Sequence, residues 1–182
     1  LVDQAARRRF NEIVYHHSAQ SPGKWDSRDH PGDFQYSPPA ARSLEGRAGP
    51  VRAEMTARIE DPRIGGAITQ TVILYDGLKR IDVVNSLRGM RALHSGNYED
   101  RYRDNLYYAF PVNVEGFEAR AEYAGGVVRP YKDQLRWGSH DYLTPNRWVD
   151  VSNSSFGFTM APLEAFTVNF GEIRYNRFSI DY

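Results

Sequence analysis

Residues 51–60 read VRAEMTARIE, and residues 68–87 read ITQTVILYDGLKRIDVVNSL. In the first stretch Val51, Ala53, Met55, Ala57 and Ile59 alternate with Arg52, Glu54, Thr56, Arg58 and Glu60. Successive side chains of a strand point to opposite faces, so this period of two describes a half-buried strand. In the second stretch two β-rich runs flank Asp76-Gly77. Glycine accepts a positive φ without a Cβ clash, which suits a tight turn, and the segment is expected to form a β-hairpin. The alternation returns at 117–123, where Phe117, Ala119, Ala121 and Tyr123 oppose Glu118, Arg120 and Glu122.

Working outward, further strands are expected at Phe10 to Tyr15, Leu106 to Val114, Arg147 to Ser152, Phe156 to Ala161, Phe166 to Phe170 and Glu172 to Ile180. No segment longer than about ten residues keeps a helical period, short of an ordinary helix. Many strands punctuated by Gly and Pro predict an all-β fold, an antiparallel β-sandwich, rather than alternating β and α units. Residues 1–182 are taken as a single β-sandwich domain or a fragment of one. Residues 22–39, rich in Ser, Pro, Gly and Asp, are expected to form a surface loop, and 88–105 a charged connection carrying Tyr98 and Tyr102. Residues 125–147 begin GGVVRPYKDQL and are expected to form a long decorated loop leading into a strand. Loops on a rigid sheet scaffold are where binding residues concentrate.

Composition removes several function classes. A chain of 182 residues can bury a core of its own, and it has no cysteine, so disulfides, thiolate metal sites and a cysteine nucleophile are all excluded. Lys plus Arg equals Asp plus Glu at 23 each, which leaves no electrostatic case for a nucleic-acid partner or an anionic membrane. The run Arg7-Arg8-Arg9 sits between Asp3 and Glu12 and is read as the entrance to a strand rather than a phosphate site. No apolar run approaches the ~18 residues of a membrane span. Leu1 opens neither a signal nor a transit peptide, and the lack of an initiator Met suggests a processed or excised segment. The compartment is left open.

Three kinds of chemistry are worth testing against the residues. Retaining glycoside hydrolysis needs two carboxyl groups about 5 Å apart. Asp133, Asp141 and Asp150 lie in or beside the decorated loop, but Asp150 falls between Val149 and Val151, where an outward solvated carboxylate is expected. No catalytic residue is assigned. Metal ligation would draw on His16 and His17, His30 with Asp29 and Asp33, or His140-Asp141. Adjacent strand histidines point to opposite faces and no spacing fits a metal motif, so no metal ligand is assigned either. Gly65-Gly66 and Gly125-Gly126 lack the Lys-Ser/Thr and helix of a phosphate loop. Carbohydrate is recognised by aromatic faces on sugar C–H surfaces and by planar polar groups on hydroxyls. Trp137, Tyr142 and Trp148 alongside Arg129, Asp133 and His140 supply those types. Trp148, at a strand start, is expected to plug the core or a sheet edge, whereas Trp137, before Gly138, is expected on the loop.

The order of segments resembles one family. LVD (1–3) with FNEIVY (10–15), TQTVILYDGLKRIDVVNSL (69–87), LYYAFPVNV (106–114), GGVVRPYKDQL (125–135), DYLTPNRWVDVSN (141–153) and APLEAFTVNFGEI (161–173) follow in the order of the C-terminal β-sandwich region of glycoside hydrolase family 38, the α-mannosidases. The resemblance covers most of 1–20 and 46–173 and implies a supersandwich fold of the galactose-mutarotase-like kind. It also implies that the nucleophilic aspartate and the catalytic zinc belong to an N-terminal catalytic barrel of the same parent protein. None of that barrel is present here, so no family nucleophile, acid or zinc ligand carries over to a residue of this chain. The sandwich is then expected to form a wall of the cleft, with Arg129, Asp133 and Tyr142 orienting or enclosing a mannoside. Trp137 and His140 stand where the sequence departs from the family's commoner Pro-Gly-Ser pattern, and they complete the substrate-binding set. The alternatives are a non-catalytic carbohydrate-binding or structural module, and a self-contained mutarotase-like enzyme using His140, Arg129 and an acid. A sandwich cut out mid-sheet would expose strand edges and is expected to associate.

Overall fold

A computed structural model of the chain describes residues 8–17, 34–38, 41–62, 65–89, 104–130, 132–135, 143–165 and 167–170. Among them are eleven strands and no helix: β1 Glu12–His17, β2 Phe34–Tyr36, β3 Ser43–Ala48, β4 Arg52–Glu60, β5 Ala67–Tyr75, β6 Ile81–Arg88, β7 Asp104–Ala109, β8 Glu118–Tyr123, β9 Gly126–Val128, β10 Val149–Ser152 and β11 Gly157–Met160. Every pairing is antiparallel, so the all-β sandwich expectation holds. The chain divides into two compact units. One comprises Asn11–His17 and Phe34–Ala109, and the other takes the described residues of 8–10 and those from Phe110 onward.

The first unit holds two sheets, ordered β2-β1-β7 and β3-β4-β5-β6. Register explains its core. Ile59 lies opposite Ile68, and Ile68 opposite Leu87, so three strands place one apolar row on one face. Ile13 packs on Ile59 and Ile68, with Tyr15, Tyr36, Leu87, Leu106 and Tyr108 around them. The next row of the same face is Ala57 followed by two amides, Gln70 and Asn85. Here Asn85 and Asn11 exchange side-chain amide bonds of 2.8 and 3.0 Å, and Gln70 Nε2 donates to the Asn11 carbonyl at 2.8 Å and to Asn85 Oδ1 at 3.2 Å. Asn11 is 5% exposed and has a left-handed backbone, φ 58°, while its N–H donates to the Ala109 carbonyl at 2.7 Å. Asparagine tolerates that conformation better than most residues because its short amide can bond locally.

Beyond the amide row, the alternation read from 51–60 persists but burial does not. Met55 and Leu74 share the face of Ile59 and Ile68, yet they are 52% and 50% exposed. The strand is therefore half-buried at its Ile59 end only. On the opposite face Thr56 and Thr71 share a hydroxyl bond of 3.0 Å across the strands.

The expected hairpin is β5–β6, with a wider turn than Asp76-Gly77 alone suggested. Leu74 and Ile81 are the last register partners, so residues 75–80 make the connection. Gly77 does supply a positive φ, 70°. The width has a side-chain cause. Tyr75 Oη donates to Asp82 at 2.6 Å, and the Arg80 guanidinium forks onto the same carboxylate at 2.6 and 3.0 Å while lying 5.7 Å from the Tyr75 ring centre. The Arg80 bonds, then the Tyr75 hydroxyl, hold the Asp82 carboxyl below its ordinary range.

In the second unit the sheet order is β11-β10-β8-β9. The 117–123 alternation is realised from Glu118 onward, while Phe117 precedes the strand and is exposed: Ala121 is fully buried against Leu143 and Val149, with Tyr123, Met160, Val168 and Phe170 packed around them. Glu118, Arg120 and Glu122 take the other face. Phe10 packs edge-on against Phe110 and Phe158, with centroids 5.2 and 6.3 Å away.

Several expected boundaries shift. Phe34–Tyr36, inside the loop expected at 22–39, pairs with β1, and Asp104 and Asn105, at the end of 88–105, belong to β7. β9 lies inside the loop expected at 125–147, and β3 is an additional strand. The strand expected at Phe166 to Phe170 is reduced, among the described residues, to one bridge between Val168 and Leu143. The strand expected at Glu172 to Ile180 lies outside the described residues.

Candidate functional site

The β8–β9 hairpin closes on Ala124-Gly125, with Tyr123 opposite Gly126 and Gly125 at φ 102°. After β9 the chain turns at once. The Lys132 and Asp133 amides donate to the Arg129 carbonyl at 3.1 and 3.0 Å, and Pro130 is buried. Proline presets the backbone for a turn at this position. The Asp133 carboxylate folds back over the turn. Its Oδ2 accepts from the Arg129 amide at 2.8 Å, and the Arg129 guanidinium reaches it through Nε at 3.0 and 3.2 Å and Nη2 at 2.8 Å. Arg129 and Asp133, two of the five residues singled out as sugar-binding, are thus brought together. Trp137, His140 and Tyr142 lie outside the described residues.

The Arg129 side-chain bonds, then its backbone N–H, pull the Asp133 carboxyl from 3.8 down to about 2. A carboxyl lowered in the folded state contributes stability above its unfolded value and loses it as pH falls. The turn is therefore expected to keep its clamp at pH 4 and above and to release it as pH falls through about 2. Carboxyl NMR titration should place the Asp133 midpoint near 2, moving up towards 3.8 in Arg129→Ala. A midpoint near 3.8 in the unsubstituted protein would contradict the clamp.

Glu118, at the start of β8, joins this turn to the sheet. Its carboxylate receives the Arg120 guanidinium at 2.7 and 3.1 Å and Lys132 Nζ at 3.3 Å, with Arg129 Nη1 3.8 Å away. Arg120 first, and Lys132 second, lower the Glu118 carboxyl. Glu122 on the same face is lowered by the fork from Arg147, whose Nε donates at 2.8 and 3.0 Å. The face is thus a lattice of paired charges, exposed and solvent-screened, so its worth is orientation more than stability.

Along the same face, Asp150 accepts from Ser152 Oγ at 2.5 Å and from Thr159 Oγ1 at 2.6 Å. Asp150 is thus outward-facing as expected, but its carboxylate is bonded rather than merely solvated. Trp148 departs from expectation. Val149 points into the core opposite Ala121, which turns Trp148 outward, where it is half-buried and lines an open cavity with Arg120, Asp150 and Thr159. Asp141 and the pair His30 and Asp33 lie outside the described residues. Among the described residues no three of His, Cys, Asp and Glu converge. Glu118, Arg120 and Lys132 were not among the expected site residues. Their signal was the 117–123 alternation, which puts Glu118 and Arg120 on one face, although only the register brings Lys132 to them.

No curated protein and no solved structure matches the chain. Residues 2–174 match the family described as the glycosyl hydrolases family 38 C-terminal domain. That span takes in every described strand of both units. The chain belongs to the family 38 glycosyl hydrolase C-terminal domains.

Proposed function

We propose that this chain is the β-sandwich part of an α-mannosidase-like glycoside hydrolase, lining the substrate cleft and binding carbohydrate there. The catalytic barrel and its zinc lie outside this chain, and the zinc is held by barrel residues. The observation that carries the reading, beside family membership, is the clamped Arg129–Asp133 turn. Three guanidinium contacts and the Arg129 backbone N–H fix the Asp133 carboxylate against Arg129 on an exposed surface, at the start of the segment that bears Trp137, His140 and Tyr142. A planar guanidinium fixed in this way suits hydroxyl recognition without entropic cost at the moment of binding. Role assignment follows from this: Asp133 positions Arg129, and Arg129 with the three residues of the following segment meets the sugar.

The test is hydrolysis of an aryl α-mannoside by this chain joined to its barrel, with and without chelator. Arg129→Ala is expected to raise KM about tenfold, the scale of one lost charged hydrogen bond, with a smaller change in kcat. Chelation is expected to abolish turnover. Unchanged kinetics in Arg129→Ala would remove the cleft-lining role. Sugar binding without any hydrolysis by the joined protein would favour a non-catalytic carbohydrate-binding module instead.

A further inference from the structure

Arg120, Trp148, Asp150 and Thr159 line a cavity of about 360 Å³ on the outer face of β11-β10-β8. Its walls combine three features that sheet stability does not require. First, Arg120 and Asp150 are direct cross-strand partners of opposite charge, yet they do not pair with each other. Arg120 gives Nε and Nη2 to Glu118, while Asp150 takes the hydroxyls of Ser152 and Thr159. Second, each Asp150 oxygen accepts one bond from the protein, and a carboxylate oxygen has two acceptor sites. One site per oxygen is left for a ligand, on a carboxylate whose plane is fixed from two strands. Third, Trp148 is half-buried beside them, and its indole N–H has no acceptor among the described residues.

These features select a ligand by exclusion. A phosphate or other anion would meet Asp150 and Glu118 beside the single guanidinium that Glu118 already engages. A metal ion would find at most two carboxylates, Asp150 and Glu118, each already bonded, with the Arg120 guanidinium beside them. A wholly apolar ligand would cover the remaining acceptor sites without satisfying them, which disfavours it. A pyranose ring meets all three walls. Its C–H face lies on the indole, one hydroxyl donates to Asp150, and a neighbouring oxygen accepts from Arg120 Nη1. The volume, near the lower end of the roughly 300–1,000 Å³ usual for ligand sites, matches one sugar unit.

We propose that this cavity is a pyranoside-binding site, distinct from the Arg129–Asp133 turn. It does not rest on the cleft-lining role and stands if that role fails. The test uses the whole chain with Trp25→Phe and Trp137→Phe, which makes Trp148 the only tryptophan. Its emission is titrated with methyl α-mannoside, methyl β-glucoside and methyl β-galactoside. At least one glycoside is expected to give a saturable change with a Kd of roughly 1–10 mM, in the range where binding free energies are a few kcal/mol. Asp150→Asn and Arg120→Lys are each expected to weaken it about tenfold. Arg120 is exposed, so its variant should keep the thermal melt seen by circular dichroism, separating a lost site from a lost fold. The proposal is overturned by a flat response to all three glycosides up to about 50 mM, or by an affinity indifferent to Asp150→Asn and Arg120→Lys. Because the emission comes from Trp148 itself, it reports this cavity whether or not Arg129 touches substrate.

Discussion

Gly66→Ala is expected to destabilise the protein by about 2–5 kcal/mol, whereas Gly77→Ala, with the same kind of backbone, should cost only about 1–2. Both glycines have left-handed φ, 75° at Gly66 and 70° at Gly77, so an alanine carries the left-handed penalty at either position. What differs is space. A Cβ at Gly77 would meet nothing within 4 Å, but at Gly66 it would stand 1.9 Å from the Arg88 carbonyl oxygen and 2.7 Å from the Gly89 carbonyl carbon. Those atoms are backbone and cannot swing aside. Arg88 is the last residue of β6 and pairs with Ala67, the first of β5, so relief would have to pry open the end of the hairpin. Urea denaturation of the two variants side by side is the measurement. Equal losses would mean that the close approach at Gly66 is unimportant and that φ alone governs both sites.

Asn11→Ala is expected to cost about 2–4 kcal/mol. Part is the left-handed backbone, about 1–2 kcal/mol for a residue with a Cβ and no local amide bond. The rest is Asn85, whose half-buried Nδ2 loses its acceptor on Asn11, a loss of about 1–2 kcal/mol. Two further substitutions separate the parts. Asn11→Gly keeps the backbone comfortable but still orphans Asn85. Asn85→Asp keeps the acceptor for Asn11 Nδ2 but sets an oxygen against Asn11 Oδ1 where an amide donated before. If Asn11→Gly is as stable as the unsubstituted protein, the reciprocal amide pair contributes nothing. Stability of Asn85→Asp equal to that of Asn85 would argue against the donor–acceptor pattern in particular.

These two sites show what the sequence could reveal. Asn11, Tyr75, Arg80, Asp82 and Asn85 all lie in the segments that carried the family resemblance, and every one of them holds the scaffold: the amide bridge between sheets, or the lock on the β5–β6 turn. The period of two was legible because each strand turns one face to a core, as at Ile59 and Ala121. Where that physical cause is missing, so is the signal. β3, SLEGRA, is exposed over all but its first residue, so nothing selects an alternating pattern. β9 is three residues long and begins with glycine, and β2 is equally short. Turn chemistry marked Asp76-Gly77, but the width of the turn depends on Tyr75 and Arg80 meeting Asp82, a contact that propensity does not encode.

At the candidate site, the short spacing of Arg129 and Asp133 let both fall in one turn, and the sequence picked them out together. Their connection to Glu118 and Arg120 comes from strand register, which a single sequence does not state. Trp148 illustrates the same limit in reverse. Its place at a strand start suggested a plug for the core or a sheet edge, and only the pairing of Val149 with Ala121 decides that the valine faces inward and the tryptophan outward.

The central strand of the β2-β1-β7 sheet has a consequence for how the chain acquires its structure. β1 precedes all its partners in the chain, and the adjacent Ile13 and Val14 on it are both buried, so this strand turns an apolar side chain inward on each of its faces. Yet Glu12 finds its partner Ala109 only after β2 to β6 have all been synthesised. Until then one edge of an apolar strand waits unpaired. Long-range pairings of this kind slow folding and expose intermediates to aggregation. The local hairpins β3–β4, β4–β5 and β5–β6 can form as they emerge from the ribosome, and docking of β7 against β1 is the step expected to set the pace.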